Sequence, residues 1–254
     1  MNIIWAFIFR DLSIERSYRF DLLLKLGCVI SQLAVFYFIS RYFANPQYFH
    51  FVFVGIIFSG FFQFWLGVFS DAIRQEQYWG TLEPVFMSAS RPIILLFSSV
   101  SGKFVIFAME MIFIVILGKA FLGDAFNVHP LWFIPLFALN SLALGGIGLI
   151  SGSFIMYFKR GDPVNFILGT AFDLLSGIYF PIAVFPEFIK YFSAILPTTS
   201  ALNVWRSVLL EGKMPTGSQL AVQLAWGLAL FTLGVLAFTM AFNKTREKGD
   251  LGNY

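Results

Sequence analysis

The chain has 254 residues, of which 58% are hydrophobic and 12% charged, and its 34 Phe exceed what a soluble domain of this length can bury. A formal net charge of +3 without a basic face gives no footprint for nucleic acid, and the lone Cys28 allows neither a disulfide framework nor a cysteine metal site. Lipid is the expected solvent.

Taken from the N-terminus, the stretch MNIIWAFIFRDLSIERSYRF holds an apolar run too short to span, with no leading basic region and no small-residue cleavage site. It does not read as a signal peptide. Apolar runs able to cross a core of about 30 Å, which takes roughly 20 helical residues, then recur at 22–42, 51–70, 93–117, 131–158, 164–180 and 219–242. Their continuity disfavours a β-barrel, whose strands alternate apolar and polar residues. The expected fold is therefore all-α, a single membrane domain over 1–254 with six transmembrane helices.

Lys and Arg set the orientation. With the N-terminus inside, the cytoplasmic side receives Arg10, Arg16, Arg19, Arg74, Arg91, Lys159, Arg160, Lys244, Arg246 and Lys248. The outer side receives Arg41, Lys119, Lys190, Arg206 and Lys213. Ten against five predicts both termini in the cytoplasm.

The connections differ in kind. The outer loops 43–50 and 118–130 are short, whereas the inner loop 71–92 has helical punctuation of its own. Asp71 can cap a helix, Gly80 can stop it, and Thr81 can cap a second with Pro84 in its first turn. Tyr78 and Trp79 suit the headgroup region. Such an elbow reads either as a solvated connector or as a surface on which a partner pushes. Between the last two spans, SGIYFPIAVFPEFIKYFSAILPTTSALNVWRSVLLEG is apolar but cut by Pro181, Pro186 and Pro197 into pieces too short to cross. Interrupted backbone at membrane depth must be satisfied by protein or by a water-filled cavity. Two outer helices, 187–196 and 200–210, are predicted to re-enter the outer leaflet, the alternative being an amphipathic pair lying on it.

Catalytic chemistry is not assembled. The pattern GxxxxGK[ST] fails at Gly102-Lys103, Gly118-Lys119 and Gly212-Lys213, so no nucleotide-binding loop is expected, and His50 and His129 are isolated. Among intramembrane ionisable residues, Lys103 and Glu110 share one face of the third span, with Lys103 expected to snorkel to the inner headgroups. Glu110 and Asp173 should face other helices or water. Arg206 should sit near the outer headgroups or pair with an acid. Ser141, Gly145, Gly148 and Gly152 form a small-residue face for close helix approach. Ser31, Gln32, Asp173 and Ser176, on the first and fifth spans, are the candidates for lining a path between two copies.

Two motifs resemble the membrane permeases of ABC-2 type exporters. The first is Gly80, Thr81, Leu82, Glu83, then Pro92, Gly102 and Lys103; the second is Ser176, Gly177, Phe180, Pro181, Pro186, Leu196, Pro197 and Arg206. Thr199 and Ser200 stand where family members often carry a Tyr. The resemblance implies an interfacial helix over 1–20, a coupling elbow over 71–92 and a re-entrant segment over 181–212. It implies that Asp71, Arg74, Glu76, Tyr78, Trp79, Gly80, Thr81, Leu82 and Glu83 dock on a separate ATPase subunit that binds ATP and Mg. It further implies two permease chains, a homodimer, with two ATPase copies in a bacterial-type inner membrane, surrounded by lipids and without nucleic acid. This chain would then carry no cofactor and catalyse nothing itself; its cargo would be a lipid, an amphipathic drug-like molecule or a lipid-linked glycan. The alternative is a stand-alone ion-coupled carrier that uses Glu110 and Asp173.

Overall fold

A computed structural model describes residues 3–17, 19–87, 91–126, 129–159 and 163–249, so Arg160 and residues 88–90 of the inner loop lie outside the described residues. The elements in order are α1 (Ile3–Ser17), α2 (Arg19–Tyr42), α3 (Pro46–Trp79), α4 (Leu82–Met87), α5 (Pro92–Leu122), α6 (Pro130–Phe158), α7 (Pro163–Leu175), α8 (Glu187–Ile195), α9 (Pro197–Glu211) and α10 (Gly217–Glu247). No strand occurs among the described residues. Helices α2, α3, α5, α6 and α10 are long and apolar enough to cross a membrane, which makes this a multi-pass membrane protein.

Local signals account for the helix ends. Pro46 opens α3 behind Asn45, whose side chain accepts from the Tyr48 amide at 3.3 Å. Thr216 and Gln219 form a reciprocal capping box on α10, with the Thr216 amide donating to Gln219 Oε1 at 2.9 Å. At the other end of α3, Gly80 takes the left-handed conformation, φ 70°, that few other residues reach without strain.

Helix α3 is the hub. Its 34 residues make a rod of about 51 Å at 1.5 Å per residue, longer than a bilayer core. Most of its surface is covered, by α6 on one side and by α2, α5, α7 and α9 around the rest. The α6 contact needs glycine. A Cβ on Gly148 would collide with the Trp65 carbonyl oxygen, and one on Gly152 would lie 3.1 Å from Phe69 Cβ. A different α6 face, Gly146, meets the α10 backbone at Leu230, while a Cβ on Gly234 would sit 2.5 Å from the Gly146 oxygen. Thus α6 is clasped between two helices at backbone distance, where dispersion contacts replace the hydrophobic drive that lipid does not supply. The expected small-residue face is filled from within the chain and is unavailable to a second copy.

Phenylalanine fills the remaining interior. Phe61 touches Phe107, Phe137 and Trp205, and Phe64 stacks on Phe107 with ring centroids 4.0 Å apart. One buried polar bond crosses between helices: Asn140 donates to the Leu136 carbonyl and, across to α10, to Gln223 Oε1 at 3.3 Å.

Three sequence expectations change here. Asp71 does not begin a new helix, because α3 runs unbroken through it to Trp79. The expected span 164–180 is helical only as the 13-residue α7, about 20 Å long, and its helix ends at Leu175 rather than near Pro181. Gly177, at φ 76°, breaks it earlier. The outer pair agrees with expectation to within three residues at each end.

Substituting Gly148→Ala should lower stability by about 1–3 kcal/mol, the range for overpacking. Gly27→Ala, with nothing within 4 Å of the new carbon, serves as control. Thermal unfolding in detergent should show a lower midpoint for the first and no loss for the second.

Candidate functional site

The elbow is built around one buried carboxylate. Glu76 is only 5% exposed. Its Oε1 accepts from Arg10 Nη1 on α1 at 3.1 Å, and its Oε2 accepts from the Thr81 hydroxyl at 2.5 Å. The Thr81 amide also donates to the Glu76 carbonyl at 2.9 Å. Arg10 holds Asp11 at 3.0 Å through Nε, and its guanidinium lies 4.6 Å from the Phe7 ring centroid and 5.7 Å from that of Trp79. The distant α1 and the adjoining ends of α3 and α4 are thereby fixed together.

That geometry divides the expected docking residues. Asp71, Arg74, Tyr78, Trp79, Gly80 and Glu83 are exposed, whereas Glu76 and Leu82 are buried and Thr81 is half-buried. Glu76 and Thr81 hold the elbow's shape, and the surface left for a partner is the exposed set, led by Tyr78 at 88% exposure. Thr81 spends its hydroxyl on Glu76.

Gly102 and Lys103 belong to the same joint. A Cβ on Gly102 would stand 2.6 Å from Asp11 Oδ2, so glycine is what lets α1 lie against α5. Lys103 follows it, in the electrostatic neighbourhood of Asp71, Asp11, Arg10 and Glu76.

At the opposite end of α3, Arg206 performs the second structural task. Its Nη2 donates to the carbonyls of Gly177 at 2.8 Å, Ile178 at 3.1 Å and Phe51 at 3.4 Å, and its guanidinium lies 3.5 Å from the Phe51 ring centroid. Gly55 leaves room for the Ile178 carbonyl to touch α3. Arg206 was expected near the outer headgroups or on an acid; its hydrogen-bond partners among the described residues are carbonyls, two of which the non-helical stretch after α7 leaves without intrahelical donors. Ser176 is buried, its hydroxyl 2.6 Å from that of Thr198, and is therefore a joint between α7 and α9 rather than a lining residue. Pro181, Pro186 and Pro197 each precede or open a helical turn, and Phe180 is exposed beside them.

Between these two joints lies a cavity of about 870 Å³. Its floor is one stripe of α3, Ser59, Gln63, Gly67 and Asp71 at intervals of four, which repeat on one helix face. Gln32 of α2, Lys103 and Glu110 of α5, and Asp173 of α7 project into it, together with Glu15, Lys25 and Tyr179. Asp173 accepts from Ser59 Oγ at 2.7 Å and from Gln63 Nε2 at 3.0 Å. Gln32 Nε2 donates to the Tyr179 hydroxyl at 3.3 Å. Ser31 is exposed on α2 and lies outside the lining. Gln32, Lys103, Glu110 and Asp173 are thus brought to one place; Ser31 and Ser176 are not. The α3 stripe went unread in the sequence, although four small or polar residues at four-residue spacing inside an apolar run were its signal.

The α3 and α7 axes also share a register. Asn165 meets Gly67, Gly169 meets Gln63, Asp173 meets Ser59 and Ile178 meets Gly55. Continued to Phe51 through Arg206, this covers about 24 Å of α3. No group of three or more His, Cys, Asp or Glu side chains suited to a metal occurs among the described residues.

Fold and site together define a helical multi-pass membrane protein with a cavity of mixed polar and apolar lining among its helices and a bonded elbow at one end. No family model matches the chain. It is similar to ABC transporter G family member 20 of Dictyostelium discoideum, at 25% identity over 201 residues, which is 76% of this chain. The chain spans 27% of that relative's length. The likeness agrees, at the level of ABC transporters, with the resemblance carried by the two motifs.

Replacing Glu76 with Ala should destabilise the fold by about 2–3 kcal/mol, below the 3–5 of a fully buried pair because the Arg10 side chain keeps 28% exposure. A double-mutant cycle with Arg10→Met, read by thermal unfolding in detergent, should show a coupling of about 1 kcal/mol or more.

Proposed function

We propose that the chain is the membrane subunit of an ATP-driven ABC exporter, which forms the substrate pathway and receives its mechanical input at the elbow from a separate ATPase. The observation that carries this reading is the elbow itself. Helix α3 runs without a break from the cavity floor to Trp79, and Glu76 locks its end to α1 and α4. A push on the exposed Arg74, Tyr78 and Glu83 is therefore transmitted along one rod to Ser59 and Gln63. The likeness to an ABC transporter G family member supports the same reading.

On this account α7 and the Arg206-capped stretch complete a sixth crossing, supported by their register along α3. Both termini and the elbow are cytoplasmic, α8 and α9 roof the outer side, and α1 lies along the inner surface of a bacterial-type membrane. The working unit has two copies of this chain and two ATPases, since a two-fold arrangement is the commonest closure for identical chains. ATP and Mg belong to the ATPase. Nucleotide-driven closure of the ATPases shifts the elbows and switches the pathway between two arrangements. The cargo is a lipid, an amphipathic drug-like molecule or a lipid-linked glycan, consistent with the mixed polar and aromatic lining.

The test uses the exposed residues only. Arg74→Glu combined with Tyr78→Asp should reduce recovery of the partner ATPase about tenfold in pull-downs from membranes, a loss of about 1.4 kcal/mol. Membrane insertion should be unchanged. Full recovery of the ATPase would remove the elbow from the interface.

A further inference from the structure

We propose that the cavity takes its ligand from the surrounding lipid through a groove between α1, α2 and α5, and that this ligand is a single-chain amphiphile, its polar head in the cavity and its chain in the groove. This deepens the reading above by naming the class of cargo and its route of entry, and it rests on the cavity being the pathway.

The groove adjoins the cavity and has a volume of about 370 Å³. Glu15 of α1 and Ile106 and Glu110 of α5 line both, so the two hollows meet along one row of side chains. Apart from these and Arg16, the groove is lined by Leu12, Leu26, Met109 and Phe113. Leu12, Met109 and Phe113 are exposed, which opens the groove on the outer surface of the bundle, where a membrane protein meets lipid. Glu15 stands one helical turn beyond Asp11, which Arg10 ties to the elbow, so the opening lies on the elbow's half of the molecule.

The two hollows ask for different chemistry. In the cavity, Asp173 accepts from Ser59 and Gln63, and Gln32 donates to Tyr179. Carboxylate, amide and hydroxyl groups of this kind can exchange bonds with the hydroxyls of a ligand head, whatever charge the neighbouring side chains carry. At the junction, Glu15 Oε1 is buried without a hydrogen-bond partner among the described residues, an acceptor placed where head and chain would join. A wholly apolar ligand would cover the cavity's polar groups without replacing their bonds, which is costly. A wholly polar one would have to cross lipid to reach the groove. An amphiphile meets neither penalty: its chain passes from lipid to an equally apolar groove while its head finds hydrogen bonds. The groove has less than half the volume of the cavity, about 370 against 870 Å³, which suits one chain rather than the larger part of a ligand.

Monoacylglycerol with a photoactivatable diazirine, carried near the chain end in one probe and on the glycerol head in the other, tests both the occupant and its orientation. The full chain in lipid nanodiscs, without ATPase or nucleotide, is irradiated with each probe, and the adducts are mapped by mass spectrometry. The chain probe should label Met109 and Phe113, the head probe should label the cavity side at Gln32 and Gln63, and excess unlabelled monoacylglycerol should reduce both about tenfold. Ile106→Trp, which fills the junction, should reduce labelling at these positions about tenfold while leaving the thermal unfolding midpoint near that of the parent. Leu228→Trp, exposed on α10 away from both hollows, should label as the parent does. Adducts that excess ligand does not reduce, chain adducts as frequent on α10 as in the groove, or parent-like labelling of Ile106→Trp each overturn the proposal. Because no ATPase is present, such a failure leaves the elbow's pull-down result standing, and a failed pull-down leaves this labelling result standing.

Discussion

The close approach of α3 to α6 is the constraint on which the structure depends. In lipid, two apolar helices gain nothing by leaving solvent, so they associate only where backbones come near enough for dense dispersion contact. Gly148 and Gly152 permit that approach to Trp65 and Phe69, and Gly146 repeats it toward α10 on another face. With α3 gripped in this way, its free face becomes a fixed floor. The Ser59, Gln63, Gly67 and Asp71 stripe lies there, and α2, α5 and α7 stand around it.

The two ends of α3 solve opposite problems. At Phe51 the neighbouring chain has left helical form, and its carbonyls need donors where water is scarce; one guanidinium, Arg206, reaches two of them, Gly177 and Ile178, and the Phe51 carbonyl of α3 as well. At Glu76 the helix leaves the bundle, and a carboxylate ties it to α1 through Arg10 and to α4 through Thr81. Each joint is made by an ionic side chain with at least one partner far away in sequence. Each therefore fixes the relation between elements and not merely the end of one helix.

That distance explains what could be read from the sequence. The long spans were legible because lipid demands continuous apolar runs, and the outer helices because proline marks their starts. Gly80 was read correctly as a helix stop, since positive φ has few other owners. Asp71 was misread because an acidic residue at the end of an apolar run looks alike whether it caps a new helix or continues the old one. The end of α7 at Leu175 could not be seen locally, as the carbonyls beyond it are satisfied by a residue some thirty positions later. Glu76 looked like docking surface for the same reason: its burial depends on Arg10, 66 residues earlier. The cavity required α3's four-residue stripe to be combined with Asp173 and Glu110, acids noticed singly but located only by the fold.

The account depends most on the elbow and the outer helices lying on opposite sides of the membrane, with α7 and its Arg206-capped extension making the crossing that separates them. Single-cysteine labelling with an impermeant maleimide measures this directly, in a Cys28→Ser background that removes the chain's own thiol. In intact cells, Glu187→Cys and Lys213→Cys should react while Tyr78→Cys should not, and Tyr78→Cys should react once the cytoplasmic face is opened. Labelling of Tyr78→Cys and Glu187→Cys from the same side would contradict the account.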